Sequence, residues 1–157
     1  MNFRCQCRVQ TENFDLAAEY QNLLRSDCGA VVCFVGLVRD HVPSDGTDPV
    51  RALELEHYPG MTENSIKHIA QQAAERFDIR AMTVIHRVGL LQVSEQIVLV
   101  AVASAHRAAA FSACEMMMDY LKNYVPIWKK IHTQHHSEWA EAKSSDQQAL
   151  QRWLTEQ

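Results

Sequence analysis

The sequence lacks a long apolar run, an excess of positive charge and internal repeats. Its longest apolar stretch, residues 30–38 with one glycine inside, is too short to span a bilayer, and the opening MNFRCQCRVQ lacks the apolar stretch of a secretion signal. Lys and Arg number 15 against 19 Asp and Glu, a net charge of −4, which argues against a duplex-binding protein with a broad basic surface. We therefore expect a cytoplasmic protein with no membrane or nucleic-acid partner.

Cysteine is present, but its spacing does not suggest pairing. The five cysteines are an odd number and form no CxxC unit, so we expect reduced thiols and no disulfide scaffold. Cys5 and Cys7 could begin a soft-metal site with His132, His135 and His136. However, two thiols at strand spacing merely share one face, and zinc motifs normally show a second ordered pair. We predict no metal site and no cofactor.

The length and apolar content are those of a single domain. The 157 residues are 47% hydrophobic, which is enough for a real core. We predict one domain over residues 1–157, with a Pro-, Gly- and Asp-rich loop insert at about 41–49 and a C-terminal tail at about 145–157.

Hydrophobic periodicity predicts a mixture of strands and helices. Apolar, β-branched runs predict strands at 29–38, 50–57, 82–88 and 96–103, and the first two are expected to form a hairpin across the loop insert. Apolar residues at steps of three and four predict a helix at 62–77 capped by Thr62, another at 15–25, and a long one that begins near Ser104 and runs to about Tyr124. This order favours an α+β domain with a largely antiparallel sheet.

The long helix carries the residues with the clearest chemical potential. Its start, Ser104-Ala105-His106-Arg107, offers free backbone N–H groups and a cation to an anion such as phosphate, although Ser104 could simply cap the helix beside solvated neighbours. The predicted buried face of the helix comprises Phe111, Cys114, Met118, Leu121 and Val125.

Lys122 has an unusual place on this helix. At about 100° per residue it lies about 20° from Phe111, at the edge of the predicted apolar face. Partial desolvation would lower the pKa of its ammonium and make it a nucleophile or proton-transfer group, whereas snorkelling to water is the alternative. With Lys129 and Lys130, Lys122 forms the one cluster of basic residues in an acidic chain. Arg39 follows the strand that precedes the loop insert.

Six segments, in this order, carry a family resemblance. The segments are GAVVCFVGLVRDH at 29–41, LELEHYPGM at 53–61, VIHRVG at 84–89, SAHR at 104–107, MDYLKNYVPIWKK at 118–130 and SDQQA at 145–149. Together they resemble the large, catalytic subunit of molybdopterin synthase. The resemblance implies an α/β hammerhead fold with an additional small β subdomain. It also implies sulfur transfer, from the C-terminal Gly-Gly thiocarboxylate of a small ubiquitin-like carrier to cyclic pyranopterin monophosphate, which forms the dithiolene of molybdopterin.

The resemblance further implies a heterotetramer built on a homodimer of this subunit, and it assigns residues by position. Lys122 and Lys129 correspond to the active lysines. Substrate contacts correspond to Leu37, Val38, Arg39, His106, Arg107, Lys122, Lys129, Lys130 and Ile131, and Phe34 and Met118 match positions beside the carrier tail. Leu37 stands where a lysine is common in the family.

Helix geometry adds one hypothesis. His106 and Lys122 are 16 residues apart, which is about 24 Å along a straight helix, so a pocket that includes both requires His106 and Arg107 to come from a neighbouring subunit. Two other functions are open at this point: a module that binds the carrier tail without catalysis, and a cysteine hydrolase that uses Cys33 or Cys114.

Overall fold

The computed structural model describes residues 2–40, 48–141 and 143–155. Most of the predicted loop insert, residues 41–47, lies outside these ranges. Within them the chain forms eight strands and four helices, in the order β1 (Arg4–Gln10), α1 (Leu16–Leu23), β2 (Ala30–Leu37), β3 (Val50–His57), α2 (Met61–Arg76), β4 (Ile79–Arg87), β5 (Gly89–Gln92), β6 (Gln96–Ser104), α3 (Arg107–Asn123), β7 (Ile127–Thr133), β8 (Ser137–Trp139) and α4 (Ser144–Thr155).

The strands form two four-stranded sheets. The first sheet has the order β1-β4-β6-β2 and is antiparallel except for the parallel β1–β4 pair. The second sheet, β5-β3-β7-β8, is antiparallel throughout. The predicted α+β class with a largely antiparallel sheet is therefore confirmed.

The predicted hairpin between the strands at 29–38 and 50–57 is wrong. β2 pairs with β6 in the first sheet, with Val32 opposite Val102, whereas β3 pairs with β5 and β7 in the second. Apolar patterning identifies a strand but carries no information about its partner, and here the chain passes from one sheet to the other between the two strands.

Helices cover both faces of the first sheet. α2 and α3 pack on one face and form the larger core with Val84, Val100 and Val102. α1 packs on the other face, where Leu23 meets Ile85 and Leu99. Burial on both sides explains why β6 is almost continuously apolar in sequence.

The N-cap of α2 lies two residues before the predicted one. Its N-cap is Gly60, at φ +85°, where glycine has no steric penalty, and the Glu63 carboxylate accepts the Gly60 N–H at 2.5 Å. Thr62 is buried instead, and its hydroxyl accepts from the Tyr58 N–H and donates to the Pro126 carbonyl, both at 2.9 Å. The predicted Thr62 cap is therefore wrong, and this residue ties α2 to the start of β7.

The predicted C-terminal tail contains a helix that packs on α3. Trp153 of α4 is 5% exposed, and its indole Nε1–H donates to Asp119 Oδ2 at 2.6 Å. At the other end of α4, Asn123 Nδ2 donates to the Asp146 carbonyl at 3.0 Å. These contacts hold the start of α4 beside the end of α3. No helix in the described ranges is long and apolar enough to cross a membrane.

Candidate functional site

The two sheets meet along a line of apolar side chains that we call the seam. Val38, just after β2, and Val88, just after β4, come from the first sheet, and Leu55 of β3 and Leu91 of β5 come from the second. Ile127 of β7 packs against the same cluster. The seam therefore brings together the ends of β2 and β4 and one face of the second sheet.

Arg39 leaves the seam from a firmly held position. Val38 is 2% exposed, its N–H donates to the Glu95 carbonyl at 2.9 Å, and its carbonyl accepts from the Ser94 N–H at 2.8 Å. The Val38 side chain thus belongs to the core, and its two backbone hydrogen bonds fix the chain just before Arg39. Arg39 itself is exposed.

Lys129 lies on the face of β7 that meets the seam. Side chains alternate along a strand, so Lys129 shares a face with Ile127 and Ile131, and it is partly buried. Burial lowers the pKa of the Lys129 ammonium, and the positive charges of nearby Lys122, Lys143 and Arg39 lower this pKa further, while Asp146 opposes them. We call Arg39, Lys122, Lys129 and Lys143 the seam cations. The structure thus brings the two sequence-predicted lysines and Arg39 to one place.

Lys122 is exposed, so of the two alternatives left open for it the structure supports snorkelling to water and not desolvation. Phe111, predicted to be buried, is 61% exposed. Met117 is fully buried and marks the middle of the covered face, and at about 100° per residue Phe111 and Lys122 lie about 120° and 140° away from it. As predicted, the two residues lie within about 20° of each other around the helix axis, but they are on its open face.

The start of α3 is far from this cluster. The helix begins at Arg107 with His106 as its N-cap, and both side chains are exposed. Ser104 is not the cap: it is buried, and its hydroxyl donates to the His106 carbonyl. α3 is one helix of 17 residues, so His106 and Lys122 are separated by about 24 Å within one chain.

The remaining predicted contacts are dispersed over β7, β2 and α3. Lys130 lies on the opposite face of β7 from Lys129, with its ammonium 5.6 Å from the centre of the Trp139 ring, so it does not join the seam cations. Leu37 is exposed at the end of β2, and Ile131 is partly buried. Phe34 is on β2 and is 40% exposed. The backbone of Phe34 contacts the thiol of Cys114, which lies on α3 one turn before Met118.

The cysteine alternatives do not fit this structure. Cys114 is buried, its thiol contacts the Val100 carbonyl at 3.6 Å, and burial raises its pKa to about 12. Burial also raises the pKa of Cys33. A thiol nucleophile needs the opposite shift, so these pKa directions argue against the hydrolase hypothesis.

The possible soft-metal set is not assembled either. Cys7 packs against α2, and burial raises its pKa to about 12. His132 contacts Glu54 at 2.9 Å, and Asp48 contacts His135 and His136 at 3.2 and 2.8 Å. In the part of the chain that the structure describes, no three His, Cys, Asp or Glu side chains are arranged to hold a metal ion.

Comparison with known proteins assigns the family. A family model described as "MoaE protein" matches residues 9–124, which is more than half of the chain. The chain belongs to the MoaE family. The molybdopterin synthase catalytic subunit of Vibrio cholerae is 52% identical over 146 residues, covering 92% of this chain and 95% of that protein. The resemblance seen in the six sequence segments is thereby confirmed.

Solved structures agree with this MoaE-family assignment. A molybdopterin biosynthesis MoaE protein from Burkholderia ambifaria superimposes with a TM-score of 0.81 at 45% identity, covering 97% of this chain and 99% of that one. A molybdopterin synthase structure from Staphylococcus aureus has a TM-score of 0.79 at 31% identity, covering 85% and 95%. The fold expected from the family resemblance is confirmed.

Sequence reasoning missed two members of the site in this MoaE-family chain. Lys143 and Asp146 stand at the start of α4, where their charges reach Lys129. The SDQQA segment was part of the resemblance and contains Asp146. However, no hydrophobic periodicity in the sequence indicates that Lys143 and Asp146 lie near Lys129. Only the docking of α4 on α3 brings them to the seam.

Proposed function

We propose that this chain is the catalytic subunit of a molybdopterin synthase, a cytoplasmic sulfurtransferase. It moves sulfur from the C-terminal thiocarboxylate of a small ubiquitin-like carrier to cyclic pyranopterin monophosphate, and the product carries the dithiolene of molybdopterin. The observation that carries the proposal is the convergence of Arg39, Lys122 and Lys129 at the seam of a chain whose net charge is −4.

The seam cations suit both reactants. The carrier terminus and the pterin phosphate are anions, and a local group of cations attracts them although the chain as a whole is acidic. Sulfur transfer to carbon needs stabilisation of developing negative charge and a group that moves protons. Lys129, whose pKa is lowered by burial, suits the proton-transfer role, and exposed Lys122 is accessible to the end of a carrier tail.

The carrier tail has an apolar approach to these lysines. Phe34 of β2 and Met118 of α3 flank the route, and Leu37 lies exposed at the end of the same strand. A Gly-Gly terminus has no side chains, so its backbone can pass close to these residues. In this proposal Phe34 and Met118 contact the tail, while the seam cations receive its thiocarboxylate.

The pterin site is completed across a homodimer. Because His106 and Arg107 lie about 24 Å from Lys122 in one chain, we assign them to the site of the neighbouring subunit in a two-fold arrangement. Their exposed side chains and the helix N-terminus then face the phosphate of the substrate. Two carriers bound to this dimer make a heterotetramer.

Single-turnover sulfur transfer tests the assignment. The protein is incubated with cyclic pyranopterin monophosphate and thiocarboxylated carrier, and dithiolene formation is followed. Lys122→Ala and Lys129→Ala are each expected to slow transfer by about a hundredfold or more while carrier binding is retained, because each removes charge or proton handling at the reacting atoms.

The matched control is Lys67→Ala, an exposed lysine of α2 away from the seam, which is expected to keep full activity. A wild-type protein that binds the carrier but forms no dithiolene would support a binding module instead. Full activity in both seam variants would refute the site assignment.

A further inference from the structure

His86 is a titratable group at the seam that the proposed sulfur transfer does not yet use. It is the next-to-last residue of β4, and strand alternation puts it on the same face as Met82 and Val84. Those two side chains are fully buried against α3, in the cluster that includes Leu121. His86 therefore continues this face toward the last turn of α3, where Lys122 stands.

The hydrogen bonding of His86 determines its tautomer. Ring Nδ1 lies 2.8 Å from the Arg87 carbonyl oxygen, and because a carbonyl only accepts, Nδ1 carries the proton. Arg87 is itself buried and fixed, since its guanidinium donates to the Thr11 carbonyl at 3.0 Å and to the Gln96 carbonyl at 2.9 Å. In the neutral ring Nε2 then has a free lone pair and can only accept.

The surroundings of His86 keep it neutral. The pKa of His86 is lowered to about 4, chiefly by burial; the hydrogen bond to the Arg87 carbonyl opposes this shift, and the positive charges of Lys122 on α3 and His57 on β3 add to it. Behind His57 stands Glu63 of α2, with His57 Nε2 and Glu63 Oε1 3.6 Å apart. An aliphatic residue would fill this place on β4 without the cost of desolvating an imidazole, which argues for a role other than packing.

We propose that His86 is a positioning residue for Lys122, whose ammonium donates a hydrogen bond to His86 Nε2 during sulfur transfer and is thereby held over the seam. A neutral acceptor suits this place, because another cation would add repulsion among the seam cations. An apolar side chain would offer the Lys122 ammonium no hydrogen-bond partner to fix its position. The proposal rests on the sulfur-transfer function stated above and adds a residue to its site.

Three substitutions separate positioning from packing. His86→Gln keeps a neutral side chain with an acceptor near the place of Nε2, whereas His86→Leu and His86→Phe fill the space without one. Val84→Ala is the matched control on the same face of the strand, and it is expected to lower thermal stability while leaving the transfer rate at saturating reactants unchanged.

We expect His86→Leu and His86→Phe to slow single-turnover sulfur transfer by about tenfold to a hundredfold, with carrier and pterin binding unchanged, and His86→Gln to stay within about threefold of wild type. Wild-type rates in the Leu and Phe variants would overturn the proposal, as would a loss in the folded Gln variant equal to theirs. If wild-type protein transfers no sulfur, the proposed function fails first, and that result is distinct from a failure of His86 alone.

Discussion

Mild acid is expected to destabilise this protein through His86. The folded-state pKa of His86 is about 4 against an ordinary value of 6.5, because the partly buried imidazole is costly to charge. Below pH 6.5 the unfolded chain therefore binds a proton that the folded chain rejects. The contribution of neutral His86 to the free energy of unfolding is therefore complete above pH 6.5, and it is lost as the pH falls from 6.5 toward 4.

The two pKa values set the size of the effect. Over the whole range the loss is about 3 kcal/mol, and about 2 kcal/mol of it is lost between pH 7 and pH 5. This is a large part of the stability of a typical domain. Asp48 and Glu95, whose pKa values are lowered by hydrogen bonds, contribute their own losses at more acidic pH, and they do so in wild type and in a His86 variant alike.

Urea unfolding at a fixed protein concentration measures the effect, with the fluorescence of the three tryptophans as the signal. Between pH 7 and pH 5, wild type is expected to lose about 2 kcal/mol more than His86→Gln, whose amide does not titrate. The matched control is His68→Gln, which replaces an exposed histidine of α2 in the same way.

Parallel losses in wild type and His86→Gln would refute the reasoning, because they would show that folding does not suppress protonation of His86. If His68→Gln reduced the loss as much as His86→Gln, burial could not be its cause.

Two further predictions concern the dimer and the C-terminal helix. Mixing inactive His106→Ala and Lys122→Ala chains is expected to restore about a quarter of wild-type sulfur transfer after subunit exchange, because half of the dimers then contain one intact site of two; no recovery would contradict the shared site. Trp153→Ala is expected to lower the free energy of unfolding by about 3–5 kcal/mol, because it empties a buried site and removes the hydrogen bond to Asp119. Trp139 is half exposed, so Trp139→Ala is expected to cost about 1 kcal/mol or less. Thermal or urea unfolding of both variants measures the difference.

Local patterning predicted the individual elements well where one face of an element is buried. The 3.6-residue period predicted α2 at 62–77, within a residue of Met61–Arg76, and the apolar alternation predicted β3 as Val50–His57. The same reasoning failed on α3, where Phe111 was counted as core. The step of three to Cys114 suited a buried face, but the covered face of α3 is centred near Met117 and leaves Phe111 open.

Pairing and long-range burial were beyond the reach of a single sequence. β2 and β3 are close in the chain and equally strand-like, yet they enter different sheets. The parallel partner of β1 is β4, about 75 residues later, and nothing local to Cys5 or Cys7 indicates it. The helix at the C-terminus was predicted only as a tail, although Trp153 completes the main core.

The sequence by itself determined which residues form the candidate site, namely two lysines and an arginine at a strand end. It also determined the family, because the order of the six segments can be read without a structure. Only the tertiary structure decided that Lys129, rather than Lys122, is the desolvated amine, and that His86 stands neutral beside them. The physical reason is that burial and Coulomb interactions depend on neighbours from β3, α3 and α4, which are distant in the chain and meet only at the seam.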